Sequence, residues 1–457
     1  MAYFLMVATG VFLSTMDSSM MNIALPYIMT SFSTTLAKAE WVVLMYLLTI
    51  SVSLLIWGKL SDRFGKGVVY LLGIAIFSIG ALFCYLSPSL LILVLSRFVQ
   101  GFGAAMMMST GPAIIRITVP RDQIGQWMGS LGIATSMGLM TGPLLGGYIL
   151  HNYNWRTIFI LNVPISLLVF LFGWQYLAGT LPKYTEKQNN FDWKGSVLWG
   201  VLISVSVLML NGYFTRNVFG IFISICVIAV LILYFMYHEA RQADPLIPIT
   251  LIRRRYYGVA MVSAALSFAV LFFVLILMPF YLHYIKELSF DKVGYMMMAV
   301  PVSLFIVSPV SGRLFDRFGA VYLTVSGMVI TGCAVLLLSM VNELSTLVDI
   351  GWRLSLLGCG QSVFLSPNTA SVLSRVNQED AGITAGMLAT CRNMGMLVGV
   401  ALVGLLFSKF YHYFSSGLTL TTYSMDQLPY FMKAFSSTLW IASLLAFITA
   451  IISYQRK

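Results

Sequence analysis

GKLSDRFG at residues 58–65 is repeated as GRLFDRFG at residues 312–319. Six of the eight positions are identical, and at a seventh position Lys59 and Arg313 share a positive charge. Each copy follows one apolar run and precedes another. A short charged turn that is used twice between apolar helices predicts a membrane protein built from two related halves.

The composition also favours a membrane protein. Of the 457 residues, 59% are hydrophobic and 9% are charged, whereas soluble domains carry about 25% charged residues. The net charge of +11 lies in short segments between apolar runs, so we expect membrane lipid and not nucleic acid as a partner. The five cysteines lie in apolar runs without metal-ligand spacing, so we expect no disulfide and no metal site. An unusually apolar soluble protein is the alternative, which the repeated apolar runs disfavour.

The apolar runs predict fourteen membrane spans at about 20 residues per helix. The spans lie near residues 3–29, 39–59, 67–86, 89–114, 124–150, 156–178, 195–211, 218–237, 257–283, 293–312, 321–341, 347–372, 384–408 and 431–453. Asn211, Gly212 and Arg216 interrupt the stretch 195–237, for which one long buried helix is the alternative. The predicted fold is therefore all-α, with two six-helix bundles at 1–178 and 257–457 and a linker with two additional helices at 179–256.

Basic residues between the spans favour one orientation in the membrane. If the N-terminus is cytoplasmic, 17 of the 27 Lys and Arg residues fall in cytoplasmic loops and 7 in outer loops. We therefore expect both termini in the cytoplasm, and both octapeptides in equivalent cytoplasmic loops of the two halves. The longest outer loop, at about 409–430, is polar.

Five segments resemble motifs of one transporter family. They are GKLSDRFGKGVV at 58–69, LSRFVQGFGAA at 95–105, GLMTGPLLGGYI at 138–149, STMDSSMMNIALP at 14–26 and NYNWRTIFILNVPI at 152–165. Together they resemble the 14-span drug/proton antiporters of the major facilitator superfamily. This resemblance implies the major facilitator fold, a place in the bacterial cytoplasmic membrane, and multidrug export that confers antibiotic resistance. The family includes exporters of tetracyclines, quaternary ammonium dyes and quinolones, so the resemblance leaves the substrate open.

Two charged residues inside the spans are the predicted proton-coupling site. Asp17 lies near the middle of the first span, where an isolated charge costs about 2.5–3.5 kcal/mol or more. A dehydrated carboxyl favours its protonated form, as a proton carrier requires. Arg97 in the fourth span stays charged, and the resemblance to these exporters implies that it tunes the proton site. Alternatively, Asp17 hydrogen-bonds neighbouring spans through Ser14 or Asn22, and Arg97 anchors helix backbones. Glu40 is expected at the membrane interface, with a second proton site as the alternative.

The repeated octapeptides predict a conformational latch. Glycines let helices meet closely, and the Asp of each copy can face positive helix N-termini. The alternative is that the octapeptides serve only membrane topology and helix capping. That would explain their basic residues but not the matched spacing of Gly, Asp and Gly. The predicted latch residues are Gly58, Asp62, Arg63 and Gly65 in the first loop and Gly312, Asp316, Arg317 and Gly319 in the second.

The fifth span carries the glycines of the segment that resembles an antiporter motif. Gly138, Gly142 and Gly146 are spaced by four and share one helix face, and Pro143 and Gly147 lie beside them. Small residues allow close helix packing in lipid, and proline bends a helix. Tight packing is the default interpretation, and a flexible, leak-sealing contact between the halves is the functional one.

The residues of a substrate cavity are predicted only by their depth in the membrane. The candidates are Asn22, Tyr46, Gln100, Met107, Met137 and Gln361. Methionine suits adaptable apolar pockets, although lipid-facing or core packing explains most of the 27 methionines.

The motifs together predict a transporter and not an enzyme. The sequence contains no Walker loop, metal cluster or nucleophile elbow, so we expect no cofactor. The predicted function is proton-coupled antiport that exports amphipathic, cationic or zwitterionic drugs by alternating access, driven by the proton gradient. A narrow exporter of an endogenous metabolite is one alternative. A transport-inactive membrane sensor or assembly protein is another.

Overall fold

The computed structural model describes residues 2–120, 123–177, 191–210, 218–242, 245–247, 253–376, 381–418 and 425–456. The N-terminal half contains α1 (Ala2–Ser31), α2 (Leu36–Ala39), α3 (Trp41–Phe64), α4 (Lys66–Tyr85), α5 (Leu90–Thr118), α6 (Ile124–Asn152), α7 (Thr157–Ile160) and α8 (Asn162–Leu177). Next come α9 (Trp193–Leu210) and α10 (Val218–Glu239). The C-terminal half contains α11 (Arg255–Phe280), a π-helical turn (Tyr281–Ile285), α12 (Phe290–Met297), α13 (Ala299–Phe318), α14 (Ala320–Ser339), α15 (Leu347–Leu373), α16 (Ala381–Phe414), a 3-10 turn (Met425–Gln427) and α17 (Leu428–Tyr454).

The fourteen predicted spans all coincide with helices. Within the described ranges, thirteen helical segments are long and apolar enough to cross a membrane. Helix α15, with 27 residues, is also long enough to cross a membrane, but it is less apolar because it carries Asp349, Arg353, Gln361 and Asn368. The all-α, polytopic fold is therefore confirmed.

Some predicted boundaries differ from the helix ends. The boundary between 178 and 179 and the interrupting residues 211–216 lie outside the described residues. The boundary between 256 and 257 falls within the first turn of α11. The helix α16 continues to Phe414, so the segment expected to be a loop from 409 begins as helix, because its apolar face still packs on α17.

Helix packing repeats between the two halves. The helix α1 packs on α6 as α11 packs on α16, and α4 packs on α5 as α14 packs on α15. Both α4–α5 and α14–α15 meet at a pair of glycines. A Cβ added at Gly103 would lie 2.5 Å from the Gly73 carbonyl oxygen, and one at Gly327 would lie 2.8 Å from that of Gly360. Gly73 and Gly327 also lie equally far along the chain from their octapeptides. The duplication that the octapeptides predict thus extends to the packing of whole helices.

The first of the two additional helices contacts both halves. The helices α9 and α10 pack on each other, and α9 contacts both α3 and α16. Trp199 anchors α9, because its indole Nε1 donates to the carbonyl of Ser51 on α3 at 3.1 Å. Its ring centroid lies 5.5 Å from that of Phe235 on α10.

The octapeptides end α3 and α13 in the same way. The amide of Gly65 donates to the Ser61 carbonyl at 3.0 Å, and the amide of Gly319 donates to the Phe315 carbonyl at 2.9 Å. The φ angles of Gly65 and Gly319 are 93° and 76°, a region that residues with a Cβ rarely adopt. The last glycine of each copy is therefore required by the backbone. We name this end of the bundle the loop end and the opposite end the far end.

Candidate functional site

A buried polar cluster surrounds Asp17 on α1. Asp17, Arg97, Gln100 and Asn162 each have 0% exposure. Arg97 Nη1 donates to Asp17 Oδ2 at 2.5 Å, while Gln100 Nε2 and Asn162 Nδ2 donate to Oδ1 at 2.9 and 2.8 Å. Charge-assisted hydrogen bonds of this kind offset the cost of burying an ion pair. The cluster therefore joins α1, α5 and α8 through one carboxylate.

The guanidinium of Arg97 has partners besides Asp17. Its Nε donates to the Val42 carbonyl at 3.1 Å, and its Nη1 also contacts Gln100 Oε1 at 2.7 Å. The guanidinium carbon lies 4.0 Å from the centroid of the Tyr46 ring, in cation–π geometry. The Tyr46 hydroxyl lies 3.1 Å from Ser14 Oγ. Arg97 thus has acceptors on α3 and α5 that do not depend on the Asp17 charge.

The two predicted proton-coupling residues are therefore in direct contact, which the sequence alone did not predict. Ser14, offered as a partner of Asp17, bonds instead with Tyr46, because Arg97, Gln100 and Asn162 occupy the carboxylate. Sequence reasoning missed Asn162. The available signal was one amide residue inside the apolar run FILNVPI at 159–165.

The predicted cavity residues lie in several places. Tyr46 and Gln100 belong to the Asp17 cluster, and Asn22 and Met107 are buried. Met137 is 49% exposed. Gln361 lies in the other half, where its Oε1 accepts a hydrogen bond from Ser267 Oγ at 2.7 Å. Ser267 and Gln361 lie on α11 and α15, the counterparts of α1 and α5, so the C-terminal half has an uncharged hydrogen-bonded pair between the corresponding helices.

The glycine face of α6 packs within the N-terminal half, not between the halves. A Cβ added at Gly142 would lie 2.6 Å from Ser19 Cβ, and one at Gly138 would lie 2.8 Å from the Phe12 carbonyl oxygen. At Gly146, a Cβ would lie 3.4 Å from Met20. All three neighbours are on α1. The expected contact between the halves therefore does not involve this face, because the face turns toward α1.

Gly147 and Pro143 make a close contact between the halves, at the far end. A Cβ added at Gly147 would lie 2.5 Å from the Phe290 carbonyl oxygen and 3.1 Å from Gly294 Cα. One at Gly294 would overlap the Pro143 carbonyl oxygen. The rings of Tyr27 and Phe290 also meet across the halves, with centroids 5.5 Å apart. The structure is thus closed at the far end.

At the loop end, the helices do not approach each other at Gly58 and Gly312 as closely as the predicted latch implies. A Cβ added at Gly58 would meet nothing within 4 Å, and one at Gly312 would meet only Ser366 Oγ at 3.8 Å. These glycines therefore do not serve a close helix approach in this state. Asp62 pairs with Lys66 in the first loop, and Ala320 replaces that lysine in the second.

The two latch arginines, Arg63 and Arg317, lie near aromatic rings. The guanidinium carbon of Arg63 lies 5.9 Å from the centroid of Phe191, next to α9. That of Arg317 lies 5.5 Å from the centroid of its neighbour Phe318. The first octapeptide therefore contacts the inserted helices, which the sequence did not predict.

A second polar cluster, also missed from the sequence, lies where α9 begins and α10 ends. Asp192 Oδ1 accepts from the Gly195 amide at 2.8 Å and lies 3.0 Å from His238 Nε2. Burial alone would raise the pKa of Asp192, but these two partners hold that pKa below its usual value. Glu239 accepts from the Ile247 amide at 2.9 Å. The cluster thus fixes the base of the inserted pair.

Glu40, which was expected at the membrane interface, is fully buried within the protein. Its exposure is 0%, equal to that of Asp17. The reason is tertiary packing: the side chain lies against Gly404 on α16 of the other half.

Two related six-helix halves with a buried ion pair and an inter-half contact at one end define a membrane transporter. The model of the Major Facilitator Superfamily matches residues 7–400, and the chain belongs to this superfamily. Its members are transporters and not enzymes.

Several transport and resistance proteins are similar to this chain. The riboflavin transporter RibZ of Clostridioides difficile (strain 630) is 30% identical over 455 residues, which cover 99% of this chain and 97% of RibZ. The multidrug resistance protein Stp of Mycobacterium tuberculosis (strain CDC 1551 / Oshkosh) is 29% identical over 404 residues, covering 86% and 73% of the two chains. The tetracenomycin C resistance and export protein of Streptomyces glaucescens is 30% identical over 422 residues, covering 89% and 75%.

A solved structure shows the same fold. A bacterial homologue of the human lysosomal transporter Spinster, in an inward-facing and unoccupied conformation, matches with a TM-score of 0.71. The match covers 99% of this chain and 96% of that one at 13% identity. The chain is therefore a multi-pass membrane transporter with the major facilitator fold.

Proposed function

We propose that the protein is a proton-coupled antiporter that exports amphipathic, cationic or zwitterionic compounds across the bacterial cytoplasmic membrane. The observation that carries this proposal is the Asp17 carboxylate, which is fully buried and is held by Arg97, Gln100 and Asn162. Ionisable residues inside a membrane bundle typically mark ion or substrate pathways. The similarity to drug resistance and export proteins supports the direction of transport.

The geometry gives Asp17 two alternative states. In the ionised state it accepts three hydrogen bonds, and protonation would weaken the bond from Arg97 to Oδ2, because a neutral carboxyl is a poorer acceptor than a carboxylate. Arg97 then keeps the Val42 carbonyl, Gln100 Oε1 and the Tyr46 ring as partners. Protonation therefore does not leave the guanidinium bare, which would be costly in a buried site. A cationic substrate can compete with the proton for the same carboxylate.

The two halves would supply alternating access. The state described here is closed at the far end by Gly147 and Gly294. With both termini cytoplasmic, the far end faces outward. Opening that end would let a proton reach Asp17 and release the substrate outside, and proton loss to the cytoplasm would reset the carboxylate. The proton gradient and the membrane potential drive this cycle, with no cofactor.

A narrow metabolite transporter is the second candidate. The similarity to RibZ, which extends over 99% of this chain, favours it. Competition separates the two candidates. Riboflavin alone inhibiting transport of labelled riboflavin supports the narrow candidate, whereas inhibition by unrelated cations supports the broad one.

Replacing Asp17 by asparagine tests the proposed coupling. In energised inverted vesicles, Asp17→Asn should reduce proton-driven ethidium transport by tenfold or more, because the amide carries no titratable proton. Asp349→Asn is the matched control, since it removes a partly exposed i,i+4 ion pair with Arg353 at 2.9 Å, outside the Asp17 cluster, and it should transport within about twofold of the unmodified protein. Undiminished transport by Asp17→Asn would contradict the coupling role. Absence of any substrate-induced proton flux in the unmodified protein would favour a sensor or assembly role.

A further inference from the structure

Glu40 is a buried carboxyl that the proposed cycle does not use. It follows α2 and precedes α3 near the far end, and its exposure is 0%. Among the residues that the structure describes, neither Oε1 nor Oε2 has a hydrogen-bond partner. An ionised carboxylate without a partner costs several kcal/mol or more to bury. The closed far end therefore accommodates Glu40 in its neutral form.

The pocket for this carboxyl belongs to the other half. A Cβ added at Gly404 on α16 would overlap the Glu40 carboxyl. The absence of a side chain at residue 404 thus creates the space that Glu40 occupies. Because α3 and α16 belong to different halves, separation of the halves at the far end would withdraw Glu40 from Gly404 and expose it to water.

Among the described residues, none of the other titratable groups near this contact forms a hydrogen bond with the Glu40 carboxyl. The groups on the elements packed against it are Lys38 on α2, Asp17 and Tyr27 on α1, Tyr46 on α3, and Lys409, Tyr411 and His412 on α16. Lys38, Lys409 and His412 are exposed, Asp17 is bound to Arg97, and the Tyr411 hydroxyl donates to Gln427 at 2.8 Å.

We propose that Glu40 is a second proton-binding site, which takes up a proton when the far end closes and releases it when the far end opens. The step is balanced, because one proton from water on the far side neutralises the carboxylate as it moves against Gly404. This inference deepens the proposed function by adding a protonation that acts on the closure of the far end and not on the substrate at Asp17.

The test measures closure directly, without transport. Spin labels on unnatural amino acids replace Tyr153 and Leu344, which are exposed at the far end of the two halves, and electron–electron resonance gives the distances between them. His151 Nδ1 lies 3.6 Å from Asp291 Oδ1 across the same boundary, so all variants carry His151→Asn to remove this second pH-sensitive contact. The measured quantity is the ratio of open to closed far ends between about pH 5 and pH 8, above the usual range of an exposed Glu.

The expected ratio rises with pH by up to about tenfold per unit, since opening releases one proton. Glu40→Gln should stay closed and lose this slope. An unchanged slope in Glu40→Gln, or a ratio in the parent that does not depend on pH, would overturn the inference. A ratio that responds to Na⁺ at fixed pH would also overturn it, by assigning the site to a metal cation.

A second pair of variants tests the contact with Gly404 without relying on pH. Gly404→Ala should open the far end, because its methyl group and the Glu40 carboxyl compete for the same space. Adding Glu40→Ala should restore closure. Failure of the double variant to close would contradict the proposed packing. These readouts are independent of the transport assay, so failure of the Asp17 proposal would leave them interpretable.

Discussion

The contact between Gly147 and Gly294 predicts how a single methyl group changes the conformation of the transporter. In Gly147→Ala the new Cβ would lie 2.5 Å from the Phe290 carbonyl oxygen, whereas carbon and oxygen atoms normally approach to about 3.3 Å. The far ends must therefore separate by roughly 0.8 Å or the helices must deform. Overpacking of this size costs about 1–3 kcal/mol, and this cost applies only to the state that is closed at the far end. The ratio of open to closed molecules should therefore rise by roughly 5–150-fold.

Electron–electron resonance with labels at Tyr153 and Leu344 would measure that ratio in purified protein. Gly146→Ala is the matched control, because its Cβ would lie at an ordinary contact distance of 3.4 Å from Met20 within the same half. The control should leave the distance distribution unchanged. An unchanged distribution in Gly147→Ala, or an equal shift in Gly146→Ala, would refute the assignment of this contact as the closure of the far end.

Two further predictions concern stability. Asn162→Ala removes one of three donors to the Asp17 carboxylate and should lower the free energy of unfolding by about 1.5–3 kcal/mol. Its unfolding temperature should therefore be lower than that of Asn152→Ala, which changes an exposed residue. Equal unfolding temperatures of the two variants would contradict this prediction. Gly65→Ala places a Cβ at a φ of 93° and should lower the free energy of unfolding by about 1–2 kcal/mol. Gly58→Ala is the control, because no atom lies within 4 Å of its added Cβ and no clash destabilises it. An unfolding temperature of Gly65→Ala at or above that of Gly58→Ala would argue against the backbone requirement for glycine at residue 65.

Features that depend on local sequence were predictable. Gly65 and Gly319 end two helices with positive φ, and their place in a repeated octapeptide already indicated equivalent turns. The apolar runs likewise predicted the helices, because helix length follows from the thickness of the membrane. The sequence identified Asp17 and Arg97 as two charges in apolar spans, which are costly unless they find partners, but it did not show that they contact each other.

Features that depend on which helix faces are in contact were not predictable. Glu40 was expected at the interface because position along a span indicates depth but not which surface a neighbouring helix covers. Its burial depends on Gly404, which is distant in sequence. The helix that packs against the Gly138 face was also not predictable, since spacing by four places residues on one face without identifying the neighbouring helix. Asn162 was missed because a single amide in an apolar run carries no periodic signal.

The most direct test of the central claim is the number of protons released when a compound binds to the purified protein. A pH-indicating dye in weak buffer would report release on addition of ethidium, tetraphenylphosphonium or riboflavin, and calorimetry would show which of them binds. For a cation that binds, the unmodified protein should release about one proton more than Asp17→Asn when the starting pH keeps Asp17 protonated. Equal proton release by both proteins, at equal occupancy of the bound cation, would contradict the claim that substrate and proton compete at Asp17.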